Sequence, residues 1–187
     1  MHRNQAGRSW QSKAAVYALT SAVAGLVAGA ALGLVGGLLP LEVRLAVGSI
    51  LAIAAVAVGG LELFGRRMQP LQIDCETPQR WVNKGPWRWA ARNGLTLGFG
   101  ATTRIGFWLW YVIPLGAFLI GDPVAGAIIY GTYGLVRALG AVAIILAMMR
   151  LDADISDRVL EGYNTARIFT AGQLVFLGVA TAIVVGL

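Results

Sequence analysis

Five stretches of this chain are each long and apolar enough to cross a bilayer. They run over about 14–39, 45–64, 94–119, 124–149 and 168–187. A spanning α-helix needs about 20 mostly apolar residues. Hydrocarbon offers no water to satisfy backbone N–H and C=O groups, so such stretches must be helical. The expected architecture is therefore an all-α, polytopic transmembrane bundle of about five spans, one integral membrane domain over residues 1–187. Composition agrees: 57% of residues are hydrophobic and 13% charged, against about 25% charged in a soluble domain. A soluble cytosolic enzyme, a disordered tail and a coiled coil are excluded. Arg3, Arg8 and Lys13 precede the first stretch as in a signal peptide. That stretch is too long for an h-region and lacks a small-residue cleavage site, so it reads as a retained span.

Basic residues orient the bundle. The N-terminus, the loop 65–93 and the segment 150–167 together hold twelve Lys and Arg, whereas the tight turns 40–44 and 121–123 hold one, Arg44. Cytoplasmic loops carry the excess of Lys and Arg, which places the N-terminus in the cytoplasm and the C-terminus outside. The expected location is the cell (inner) membrane, multi-pass. The net charge of +6 is explained by this orientation and calls for no nucleic-acid partner.

Gly25, Gly29 and Gly33 recur every fourth residue and line one face of the first span. Small residues at that spacing allow close backbone approach between membrane helices. The face serves packing within the bundle or an interface between subunits. A faint echo relates Gly25-Leu26-Val27-Ala28-Gly29 to Gly94-Leu95-Thr96-Leu97-Gly98, as in a parallel repeat of two helical hairpins.

Two arginines stand near the middle of expected spans: Arg104 in the third and Arg137 in the fourth. An arginine at that depth costs about 2.5–3.5 kcal/mol on insertion scales, so it faces a cavity, a carboxylate or an anion rather than lipid. Helical spacing sets Gly100, Thr103, Arg104, Phe107, Tyr111 and Pro114 on one side of the third span. It sets Gly126, Tyr130, Tyr133 and Arg137 on one side of the fourth. A three-residue turn joins these spans, so the two stripes are expected to meet, with Pro114 kinking the third. Glu62 is the one acid within a span and is expected to pair with Arg137. Arg104, Arg137, Thr103, Tyr111, Tyr130 and Tyr133 then make a candidate oxyanion site, because guanidinium offers paired donors to carboxylate, phosphate or sulfate. A purely structural role for the arginines, or an acid on a partner subunit, stays open.

In the loop 65–93, Trp81, Trp87 and Trp89 interleave with Arg80, Lys84, Arg88 and Arg92. Indoles at headgroup depth and bases attracting anionic lipid make this a membrane-interface signature. Cys75, the only cysteine, lies between Asp74 and Glu76, which disfavour its thiolate. His2 is the only histidine, and no metal or cofactor motif appears. Asp152, Asp154 and Asp157 read as a solvated helix start.

The expected function is that of a small carrier or translocation protein for an anionic solute or lipid headgroup. Its expected partners are membrane lipids with anionic headgroups, with copies of itself or other membrane subunits. The alternative is a non-catalytic integral subunit of a larger membrane complex.

Overall fold

The computed structural model describes residues 2–66, 68–69, 85–100, 107–148 and 155–185. Thr103, Arg104, Cys75, Trp81, Asp152 and Asp154 lie outside these residues. Within them the chain is helical: α1 (His2–Gly37), α2 (Leu41–Leu63), α3 (Pro86–Phe99), a 3-10 turn (Trp108–Tyr111), α4 (Val112–Ile120), α5 (Pro123–Met148) and α6 (Ile155–Val185). Among the described residues four helices are long and apolar enough to cross a membrane: α1, α2, α5 and α6. The all-α membrane bundle expected from the sequence is what is found.

The third expected span, 94–119, is corrected. It is not one helix. α3 begins at Pro86, inside the expected loop, with proline in the first turn, where its missing N–H is no loss. It ends at Gly100 in the left-handed conformation, φ 70°. Phe107 is extended, and a fresh helical segment starts at Trp108. Pro114 therefore falls in the first turn of α4 rather than kinking a long helix. The hairpin echo is not carried into geometry either, since α1 is continuous where α3 and α4 are separate. The last span also changes at its start: α6 begins at Ile155, so most of 150–167 is helix, and its apolar portion runs Thr165–Ile183.

Glycine decides which helices meet. A Cβ added at Gly25 would meet the backbone of Tyr130, one at Gly29 that of Gly126, and one at Gly33 that of Asp122. Each four-residue step up α1 is matched by four residues back along α5, so the two are antiparallel and in backbone contact. The glycine face is buried inside one chain. α3 lies parallel to α1 on another side: Gly94 rests on Tyr17 and Thr20, and Gly98 on Ser21 and Ala24. Where the three helices converge, Ser21 is fully buried and its Oγ donates to the Gly134 carbonyl at 2.8 Å.

α2 and α6 form a separate antiparallel pair. Gly59 packs on Ala171 and Val175, and Gly178 packs reciprocally on Ala52 and Val56. The 3-10 turn and α4 stand between this pair and the α1/α3/α5 unit. α4 is fastened at its far end: Arg44 donates through Nη1 to the carbonyls of Leu119 (3.1 Å) and Ile120 (2.7 Å). A cation there satisfies orphan carbonyls and opposes the negative end of the helix dipole. Gly121 follows with φ 66°. Then Asp122 Oδ1 accepts from the Ala125 N–H at 2.7 Å, so Asp122-Pro123 starts α5 as cap and first residue. Arg44→Ala is expected to lower stability by about 1–2 kcal/mol. Unfolding of the purified protein by titration with a denaturing detergent measures it, and an unchanged midpoint would remove this role.

Candidate functional site

α3 ends inside the bundle, against α1. α3 runs beside α1 and reaches the level of Ala24 at Gly98, in the middle of α1's apolar stretch, Trp10–Gly37. A helix that stops there leaves carbonyls without intrahelical partners in a place without water. One is answered from α5: Tyr130 Oη donates to the Phe99 carbonyl at 3.2 Å. Gly100 passes so close to that hydroxyl that an added Cβ would lie 2.6 Å from it. The segment across the break, 101–106, which carries Thr103 and Arg104, is outside the described residues.

Tyr130, Tyr133 and Arg137 project from one face of α5, at the spacing read from the sequence. The rings of Tyr130 and Tyr133 are 5.3 Å apart. Arg137 Nη1 donates to Tyr133 Oη at 3.2 Å. Its guanidinium carbon lies 5.8 Å from the Tyr133 ring and 5.7 Å from that of Trp110, and Trp110 packs on Tyr133 at 5.5 Å. Cation–π contact of this kind is worth about 2 kcal/mol when desolvated. Tyr17 of α1 and Tyr130 also lie within electrostatic reach of Arg137. The side chain is partly buried, roughly 12 Å inside the end of the span at Trp10 if α1 rises 1.5 Å per residue. An aromatic wall therefore holds the cation at membrane depth beside the broken helix.

Tyr111 is placed elsewhere. The short 3-10 turn divides its side chains between two faces, with Trp110 toward Arg137 and Trp108 and Tyr111 toward α2 and α6. There they line an apolar groove of about 280 Å³ with Leu51, Val58, Leu115 and Leu174. Trp108 Nε1 donates to the Met68 carbonyl at 3.1 Å. Tyr111 Oη is buried without a hydrogen-bond partner.

Glu62 is corrected in its partner. It is buried, 5% exposed, but the cation acting on it is Arg167 of α6, not Arg137. The register explains this. Gly59 sits on Ala171, so one turn further along α2 Glu62 comes level with Arg167. The sequence places Arg167 in a loop; its position inside a long helix brings its charge within reach of Glu62. Trp110 and Tyr17 were missed as well. Trp110 stood in an aromatic run without periodicity, and Tyr17 lies far in sequence from either arginine singled out within a span.

Trp87, Arg88 and Trp89 are exposed, now on the first turn of α3 rather than in a loop. Among the described residues no group of three His, Cys, Asp or Glu side chains is placed to hold a metal ion. Comparison with protein-family models, with curated proteins and with solved structures finds no match for this chain.

Proposed function

We propose that this protein is a membrane carrier that binds an oxyanion, free or as a lipid headgroup, at the break in its third span, with Arg137 as the binding cation. The observation that carries the reading is Arg137 held at membrane depth beside an interrupted helix. Transporters build substrate sites from discontinuous helices near the membrane midplane, and ionisable side chains within membrane segments mark substrate and ion pathways. Tyr133 fixes one guanidinium nitrogen, Trp110 and Tyr133 supply the ring faces, and Tyr130 steadies the end of α3. Arg104 joins this reading by sequence position alone. The carrier reading is favoured over an integral-subunit role because the glycine face that would dock a partner is occupied by α5.

The test is flux. The protein is reconstituted in phosphatidylcholine vesicles and given labelled sulfate or phosphate, and in a parallel set a labelled phosphatidylglycerol whose movement between leaflets is followed. At least one of these should move faster than in protein-free vesicles. Arg137→Gln should slow it about tenfold or more, the worth of a charge-assisted hydrogen bond, with helix content unchanged. Equal rates for wild type and Arg137→Gln in every assay would sink the reading.

A further inference from the structure

Arg167 has two buried guanidinium nitrogens, Nε and Nη1, with no hydrogen-bond partner. Buried donors on a charged group are rarely left without an acceptor, since the desolvation cost is then uncompensated. The neighbouring Glu62 is buried, and its carboxylate lies within electrostatic reach of Arg167. One turn from Arg167 on the same face of α6, Tyr163 stacks on Phe107 with ring centroids 5.3 Å apart, and Phe107 is where the described chain resumes after the break. Tyr163 thus ties this face of α6 to Phe107.

We propose that Arg167 and Glu62 form a second oxyanion site, where a carboxylate, sulfate or phosphate group binds the Arg167 guanidinium and Glu62 takes up one proton from solvent as it does so. The charge balance requires the proton. Arg167 and Glu62 are together neutral, so an arriving oxyanion leaves a net negative charge in surroundings of low dielectric, where unbalanced charge is disfavoured. Protonating the nearest carboxylate removes one negative charge and frees Arg167 to turn its donors to the ligand. No covalent bond forms beyond the O–H on Glu62. The groups able to compete are few among the described residues. Of the side chains described, α6 presents Arg167 and Tyr163, the 3-10 turn presents Tyr111, α4 has no titratable group, and Arg66 beyond α2 is exposed; Asp157, Arg158 and Glu161 stand nearer the start of α6.

The site uses residues distinct from Arg137, so its failure and that of the carrier reading are separable. The full chain, in phosphatidylcholine nanodiscs, is titrated with sulfate, which stays fully ionised near neutral pH. Calorimetry in two buffers of different ionisation heat counts the protons taken up. Wild type should bind sulfate with uptake of about one proton, and more tightly at mildly acid pH. Arg167→Gln should weaken the proton-linked binding about tenfold to a hundredfold. Arg167→Lys, which keeps the charge and guards against misfolding, should weaken it less. Glu62→Gln should bind sulfate without proton uptake, and Arg137→Gln should leave the proton-linked binding in place. A lipid headgroup as the natural occupant is recognised when phosphatidylglycerol in the nanodisc displaces sulfate from wild type. In that case one such lipid is also retained in native mass spectrometry by wild type and lost in Arg167→Gln. The site is overturned if neither sulfate nor phosphatidylglycerol distinguishes wild type from Arg167→Gln. Its proton linkage is overturned if Glu62→Gln takes up the same proton.

Discussion

Gly29→Leu is expected to prevent α1 from seating on α5, with a loss of at least about 4 kcal/mol, in the range reserved for gross core disruption. A Cβ at Gly29 would fall against the Gly126 backbone and 2.6 Å from Tyr130 Cβ, and Gly126 meets Gly29 in return. Neither partner is a flexible side-chain tip that can swing away. Relief requires the helices to part, and membrane helices adhere through close packing because lipid supplies little hydrophobic force between them. The consequence reaches the candidate site, because Tyr130, Tyr133 and Arg137 ride on the same α5. Gly140→Leu is the control, since nothing lies within 4 Å of a Cβ there. Detergent-titrated unfolding, followed by circular dichroism, should show an early transition for Gly29→Leu and a wild-type one for Gly140→Leu. Equal midpoints would mean the seam does not hold the bundle.

Gly100→Val is expected to cost about 2–4 kcal/mol, combining strain at positive φ with a displaced hydrogen bond. Gly100 ends α3 with φ 70°, where a β-branched residue is a genuine outlier. The new Cβ would also push on Tyr130 Oη and so loosen its bond to the Phe99 carbonyl. The chain can respond by running α3 onward as a helix, which would close the break. Asn, which tolerates the left-handed region best after glycine, should cost least, then Ala, then Val. The same unfolding assay gives the order. If the carrier reading holds, flux should fall in that order too. Equal stability across the three would show that the left-handed end of α3 is not what sets the break.

What was legible in the sequence follows from effects that act locally. Apolar run length identifies membrane helices because every backbone polar group in hydrocarbon must be bonded within its own segment. Spacing by three and four residues put Tyr130, Tyr133 and Arg137 on one side of a helix, and the structure has them there. The tight turn 121–123 was legible as a junction between helices, and α4 ends at Ile120 while α5 starts at Pro123. The third span misled for the same reason: 94–119 is apolar enough to pass as one helix. Composition does not report that Gly100 turns left-handed under the hydroxyl of Tyr130, a residue on another helix. Arg167 is the clearest case. Its sequence neighbours make it look like the end of a loop, and only the register of α2 on α6, set by Gly59 against Ala171 and Gly178 against Ala52, brings it level with Glu62. Local pattern thus determined that the chain is a helical membrane bundle and which side chains share a face. Which faces meet, where a helix stops at depth and which charges become neighbours were decided by backbone contact between helices far apart in sequence. Those contacts rest on shape rather than on polarity, and a list of apolar residues does not encode shape.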